Sequence, residues 1–149
     1  MLSLVMALAL ALALPAATAQ AAGREILAVK TKSAKLRQKP SSRSRLLVTF
    51  SRDYPLRVLE RKKGWCRVED FLGWEGWLPA RRLGNTRTVV VTKNLVNIRR
   101  RPSPRGRVVL KAKRFVTFMV LRRQGQWLRV KHRDGEVGWL HREVTWGSH

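Results

Sequence analysis

The chain contains one sequence twice, at an offset of 62 residues. Trp65 and Trp127 lie 62 positions apart, as do Trp77 and Trp139. Matching segments surround these anchors: residues 36–41, 58–59, 67–68 and 76–78 correspond to residues 98–103, 120–121, 129–130 and 138–140. A self-match of this length indicates two copies of one small domain. The copies fill nearly all of the chain after about its first twenty residues, so we expect no separate catalytic domain within it.

The first residues have the pattern of an export signal. Residues 1–14 are almost entirely apolar, and the run is too short for a bilayer, which needs about 20 residues. Ala17 and Ala19 form a small-residue cleavage pattern. We predict a signal peptide over residues 1–19, with cleavage after Ala21 as second choice, and a periplasmic or extracellular protein. The absence of Lys and Arg before the apolar run leaves an uncleaved anchor or a misassigned start as alternatives.

The charge balance is strongly basic in both copies. The chain has 32 basic and 9 acidic residues, a formal charge of +23. Up to Gly84 there are 16 basic and 6 acidic residues, and beyond it 16 basic and 3 acidic. Charge of this size predicts an anionic partner: a wall polymer, lipid phosphate, nucleic acid or an acidic protein. A generally basic surface without one partner is the alternative.

Hydrophobic alternation predicts an all-β fold of two tandem small barrels. Short apolar-polar runs of period two are separated by Gly, Pro and Ser, which is typical of strands. We predict domains over residues 26–84 and 88–147, a linker at 84–88, and single helical turns at 79–82 and 141–143. The predicted strands are residues 27–30, 35–37, 46–50, 56–60, 65–69, 75–78, 89–92, 97–99, 108–111, 118–122, 127–131 and 137–140.

Two segments of the second copy carry a family resemblance. Residues 91–103 read V-T-K-N-L-V-N-I-R-R-R-P-S, and residues 126–130 and 135–140 read Q-W-L-R-V and G-E-V-G-W-L. They resemble the opening and ending of bacterial SH3-like (SH3b) domains, and residues 64–68 and 76–78 repeat the ending. The resemblance implies a small, strongly bent antiparallel β-barrel and a noncatalytic role in attachment to cell-wall peptide or other ligands.

The sequence predicts no catalytic or metal centre. Cys66 is in the first copy, on the core face of a strand, whereas the histidines follow in the second copy at positions 132, 141 and 149. A Cys–His pair, which needs hydrogen-bond contact, would have to cross between copies. No Cys-x-x-Cys or His-x-x-x-His spacing is present, so we expect no metal and no cofactor. A single cysteine in an exported chain suits a bacterial envelope.

The repeated tryptophans are candidate ligand residues. Trp65 and Trp127 are opposite in phase to the core residues beside them, so we predict that both are partly exposed. An exposed Trp beside basic residues can stack against peptide, glycan or bases. The alternative is that they belong to the barrel core or lie between the domains. For Trp77 and Trp139 the core interpretation is favoured.

A basic loop follows the same strand in both copies. Proline restricts these loops, and Arg can bind carboxylate or phosphate through two parallel hydrogen bonds. A solvated loop is the alternative. The candidate ligand residues of the loops are Arg37, Lys39, Arg43, Arg99, Arg100, Arg101 and Arg105.

The combined features favour a noncatalytic, exported binding protein. Its expected ligand is an anionic polymer of the cell envelope, with peptidoglycan or its peptide carboxylates favoured. Nucleic-acid binding is an alternative, since basic barrels with aromatic residues can hold single strands, but the export signal argues against it. Docking on an acidic protein is the other alternative.

Overall fold

The computed structural model describes residues 25–149, so the predicted signal peptide lies outside the described part. Each copy forms seven strands, with a single 3-10 turn before the last one, at Ala80–Arg82 and Arg142–Val144. The first copy contains β1 (Ile26–Val29), β2 (Ser33–Arg37), β3 (Leu46–Ser51), β4 (Pro55–Lys62), β5 (Trp65–Glu69), β6 (Glu75–Pro79) and β7 (Leu83–Gly84). The second contains β8 (Thr88–Val91), β9 (Leu95–Arg99), β10 (Val108–Lys113), β11 (Thr117–Gln124), β12 (Trp127–Lys131), β13 (Val137–His141) and β14 (Thr145–Gly147).

The two sheets have the same topology. Their strand orders are β3-β2-β6-β5-β4-β1-β7 and β10-β9-β13-β12-β11-β8-β14, and each pairing is antiparallel. Register shifts occur at equivalent places, between Val58 and Glu60 and between Val120 and Arg122. Such bulges bend a strand and increase its twist. The prediction of an all-β chain with two equivalent folding units is confirmed.

Alternating burial explains why these residues form strands around two cores. In β5 and β12 the inward residues Cys66, Val68, Leu128 and Val130 are fully buried, while the residues between them are half-buried or exposed. The prediction that Cys66 is a small core residue is thus confirmed. Each core buries its apolar side chains in a separate cluster.

The Gly that precedes Trp77 and Trp139 is required by close packing. A Cβ at Gly76 would lie 2.6 Å from the Arg37 carbonyl oxygen, and one at Gly138 would lie 2.4 Å from Ile98 Cγ2. Both distances are too short for any side chain. The repeated Gly-Trp motif therefore allows β6 and β13 to approach β2 and β9.

The structure differs from the sequence prediction at the ends of the copies. Gly84 and Thr88, which were expected in the linker, belong to β7 and β8, so only residues 85–87 connect the sheets. β7 and β14 were not predicted, because two or three residues show no alternation. They are held by pairing with β1 and β8, which are distant in sequence. Within residues 25–149, no helix is long and apolar enough to cross a membrane.

The two copies meet through a reciprocal contact. Arg133 donates a hydrogen bond to Asp53 Oδ2 at 2.8 Å, and the rings of Phe71 and Phe115 lie 5.9 Å apart. Position 53 corresponds to position 115 in the repeat, and position 71 corresponds to position 133. The same two sites therefore face each other twice, as in a contact with two-fold symmetry.

Further packing closes the junction beside this contact. Trp146 of β14 packs against the first core. The centroids of the Trp146 and Phe71 rings are 6.4 Å apart, and the Arg57 guanidinium lies 5.6 Å from the centroid of the Trp146 ring. Val90 of β8 is fully buried within the first cluster as well. The second copy thus completes the core of the first.

Candidate functional site: two equivalent grooves

The second copy has a groove beside Trp127. Its volume is about 510 Å³. Trp127 is half-buried and forms one wall of the groove. The ring of His141 packs edge-on against its indole, with 5.1 Å between the two ring centroids. The groove also contains one acidic group, since Glu143 Oε2 lies 3.6 Å from His141 Nδ1. The lining residues are Lys93, Leu95, Val96, Asn97, Arg99, Pro104, Trp127, His141, Glu143 and Val144.

The first copy has a smaller groove at the same place. Its volume is about 210 Å³, and each residue of its lining has its repeat equivalent in the lining of the larger groove. Trp65 takes the place of Trp127 and is also half-buried. The lining residues are Ser33, Lys35, Arg37, Ser42, Trp65, Pro79, Arg81 and Arg82. The fold thus forms a groove with a Trp wall twice, and both tryptophans have the partial exposure that their phase predicted.

The charges of the two grooves differ. The smaller groove is lined by Lys35, Arg37, Arg81 and Arg82 and has no acidic residue in its lining. In the larger groove Glu143 replaces Arg81, and His141 replaces Pro79. The first groove therefore attracts anions, whereas the second offers groups of both signs.

Arg37 and Arg99 hold the basic loops in shape. Arg37 Nη1 donates to the carbonyl oxygen of Ser44 at 2.6 Å, and Arg99 Nη1 donates to that of Gly106 at 2.8 Å. Ser44 and Gly106 are equivalent in the repeat. Each Arg lies at the end of its strand, is half-buried and also lines its groove. These two candidates therefore combine a structural contact with a place in the groove.

The other basic candidates lie elsewhere on the loops. Lys39, Arg43, Arg101 and Arg105 are exposed and are not among the residues that line the two grooves. Arg100 lines a different depression of copy two, together with Trp139. The structure brings together Trp65 with Arg37 and Trp127 with Arg99, and it separates the remaining candidates from them.

Sequence reasoning missed several groove residues. Lys35, Arg81 and Arg82 belong to the smaller groove, and His141 and Glu143 belong to the larger one. Lys35 lies in β2, next to the basic loop, and His141 ends β13, while Arg81, Arg82 and Glu143 lie in the 3-10 turns. Both β13 and the 3-10 turns are far in sequence from the basic loop. A comparison of the two copies could have found the turn, because the replacement of Arg81 by Glu143 reverses a charge within an otherwise similar segment.

A cluster of His132, Asp134 and Glu136 lies at the turn between β12 and β13. His132 Nδ1 lies 3.3 Å from Asp134 Oδ2 and 3.5 Å from Glu136 Oε2, and the three side chains could offer metal ligands. Sequence spacing did not predict this group. Both carboxylates are exposed, and we interpret the group as ion pairing at the tip of a hairpin.

Cys66 is expected to be unreactive in the folded protein. Its side chain is fully buried, and burial raises the pKa of the thiol, an effect that the nearby Arg61 partly opposes. Since the thiolate is the reactive form, labelling with a disulfide reagent at neutral pH should be far slower in the native protein than in denaturant. Equal rates in the two states would contradict a buried thiol.

One family model agrees with this architecture. The family model described as "Bacterial SH3 domain" matches twice, at residues 30–84 and 92–147. No curated protein matches the chain.

Among solved structures, the chain is similar to an NlpC/P60 family protein from Bacillus cereus ATCC 10987, with 16% identity, a TM-score of 0.40, and coverage of 83% of this chain and 56% of that one. It is also similar to NlpC1 and NlpC2 from Trichomonas vaginalis, with 17% and 16% identity and TM-scores of 0.37. These matches cover 80% and 81% of this chain and 44% and 47% of the other two. The chain thus spans about half the length of these proteins. With two family matches that together cover most of its length, the chain belongs to the bacterial SH3 domain family and contains the domain twice in tandem.

Proposed function

We propose that this protein is a noncatalytic, exported binding protein whose two domains, residues 26–84 and 88–147, bind peptidoglycan or its peptide carboxylates. The observation that carries the proposal is the repetition of the groove. Trp65 with Arg37 and Trp127 with Arg99 occupy equivalent places in the two copies. Two grooves on one chain can add avidity where their geometry allows joint engagement.

The groove chemistry suits a peptide that bears carboxylates. Guanidinium groups bind carboxylates through paired hydrogen bonds, and the first groove offers Arg37, Arg81 and Arg82. An indole adds apolar contact area to such a site. In the second groove Glu143 can accept a hydrogen bond from an amino group of the ligand, beside Arg99 for a carboxylate. The pair of grooves therefore supports a ligand with charges of both signs.

The export part of the proposal rests on residues 1–19, which lie outside the described residues. Expression in a bacterium followed by mass spectrometry of the mature protein should show a first residue of Gln20 or Ala22. An intact Met1 in the cytoplasmic fraction would contradict export and favour the nucleic-acid alternative.

Replacement of Trp127 by Ala should weaken binding to isolated cell wall several-fold. The half-buried indole supplies contact area to the larger groove, and Trp65→Ala should have a smaller effect because its groove is smaller. Binding is measured by co-sedimentation with purified wall, with circular dichroism to show that the variants are folded. Trp74→Ala is the matched control, because Trp74 is 45% exposed and lies outside both grooves.

The same assay distinguishes the alternatives. Wall binding should decrease as salt rises, because exposed charges are screened beyond about 8 Å at physiological ionic strength. If Trp127→Ala and Trp65→Ala bind wall as well as Trp74→Ala does, the grooves are not the binding sites. If DNA or an acidic protein is retained and the wall is not, the peptidoglycan proposal is wrong.

A further inference from the structure

A separate depression lies beside β13 of copy two, outside both grooves. Arg100, Arg122 and Arg129 surround Trp139 in a depression of about 470 Å³. The guanidinium carbon of Arg122 lies 4.9 Å from the centre of the Trp139 ring, which is 6% exposed. Arg129 is the cross-strand partner of both Arg122 and Trp139. Three cationic side chains therefore line one depression with the indole, and one of them lies over its ring.

The first copy provides an internal comparison for this depression. Arg67 is the equivalent of Arg129, and it forms ion pairs with Glu60, at 3.1 Å, and with Glu75. Arg122 stands at the position of Glu60, and Val137 stands at the position of Glu75. Both acidic partners are thus lost in copy two, and one of them is replaced by a further Arg.

The arginines of copy two have no acidic partner in the part of the chain that the structure describes. No ion pair within 4.0 Å joins Arg100, Arg122 or Arg129 to a carboxylate of residues 25–149. The three acidic residues of copy two instead contact histidines, at His132 and His141. Like charges opposite each other on a sheet are destabilising. An anion bound between these side chains would remove that repulsion.

We propose that this depression binds a phosphate group. A phosphomonoester carries between about 1.5 and 2 negative charges at neutral pH and three strong acceptor oxygens, so it can accept hydrogen bonds from several guanidinium groups at once, whereas a carboxylate has two oxygens and one charge. Trp139 and the exposed Val137 and Val109 form apolar sides of the depression. The site goes beyond the proposed function, because it shares no lining residue with the Trp127 groove.

The test exchanges the arrangements of the two copies. Isothermal titration calorimetry of the purified chain with inorganic phosphate, at low ionic strength, should show one phosphate site per chain. R122E/V137E installs the Glu–Arg–Glu arrangement of copy one and should weaken phosphate binding at least tenfold, with the fold kept because it replaces repulsion by ion pairs. Q38R/E60R/E75V installs the arrangement of copy two in copy one and should raise the stoichiometry from one site to two.

Controls separate this site from the charge of the whole surface and from the grooves. Acetate should bind at least tenfold more weakly than phosphate, and Trp127→Ala should bind phosphate as the parent does even if its wall binding is lost. Unchanged phosphate binding in R122E/V137E would overturn the proposal, as would equal binding of acetate. Should R122E/V137E fail to fold, Arg122→Gln gives the same test with a smaller change in charge.

Vesicles show where the phosphate comes from. If phosphate displaces the parent chain from vesicles that contain phosphatidic acid, whose headgroup is a phosphomonoester, and R122E/V137E does not bind them, the site accepts a lipid headgroup. If both chains bind the vesicles equally, the site accepts phosphate that is not held in a membrane. Either vesicle result is compatible with the phosphate site, provided that calorimetry shows phosphate binding to the parent chain. If the parent chain gives no calorimetric signal with phosphate, the proposal is overturned.

Discussion

Replacing Leu128 by Ala should lower the free energy of unfolding by about 2–5 kcal/mol, the usual range for a Leu truncated within a core. Leu128 of β12 is fully buried in the second cluster, and a domain of about 60 residues has little stability to lose. The melting temperature of the second copy should therefore decrease by roughly 10 °C or more. Thermal unfolding followed by circular dichroism measures the change.

Leu121→Ala is the matched control for this prediction. It is the same substitution on the neighbouring strand β11, at a side chain that is 47% exposed, and it should change stability by no more than about 0.5 kcal/mol. Equal destabilisation by the two substitutions would show that the assignment of the core is wrong. Because Cys66 is buried in the first copy, thiol labelling of Leu128→Ala also reports whether copy one stays folded when copy two is weakened.

Tyr54 should resist ionisation until the protein unfolds. It is the only tyrosine of the chain and is 6% exposed. Burial raises the pKa of its hydroxyl well above the ordinary value, and so does the neighbouring Asp70, to whose Oδ2 the hydroxyl donates a hydrogen bond at 3.1 Å. Tyrosinate absorbance should therefore rise near pH 10 in denaturant and only at higher pH in the native protein.

The raised pKa makes a contribution to stability that depends on pH. The folded state holds the Tyr54 proton more tightly than the unfolded state does. The contribution to stability is therefore complete below about pH 10, the ordinary tyrosine pKa. It is lost as the pH rises from there toward the pKa of Tyr54 in the folded state. Tyr54→Phe should remove this alkaline loss, which denaturant titrations at pH 9 and pH 11 would show by comparison with the parent. If native Tyr54 ionises near pH 10, the side chain is not buried as described.

The fold was largely predictable because its signals are local or repeated. Period-two alternation around Cys66 and Val68 identified β5, and its exact repeat around Leu128 and Val130 identified β12. Turn glycines that need a positive φ, such as Gly64 and Gly125, separate these strands from those before them. β7 and β14 escaped prediction because their evidence is long-range pairing with β1 and β8.

The site was predictable only where strand phase decides it. Phase predicted the partial exposure of Trp65 and Trp127, and the structure places each beside a groove. The role of Arg99 could not be predicted in the same way, since its hydrogen bond to Gly106 depends on the path of the loop. A run of basic residues in a loop indicates that their charges are close together, but it does not indicate which side chains face a ligand. The roles of the loop residues in binding stay a prediction.

The reciprocal contact between the copies has a consequence for how the junction responds to salt and temperature. Two identical chains that meet across a two-fold axis must use each residue pair twice, and both halves of the contact then respond alike to their surroundings. The covalent link removes that requirement here, so that one half is the ion pair of Asp53 with Arg133 and the other is the ring pair of Phe71 with Phe115. Added electrolyte screens the first, whereas cooling weakens the second. The contact therefore has an ionic half and an aromatic half that weaken under different conditions, although the two halves occupy equivalent positions in the repeat.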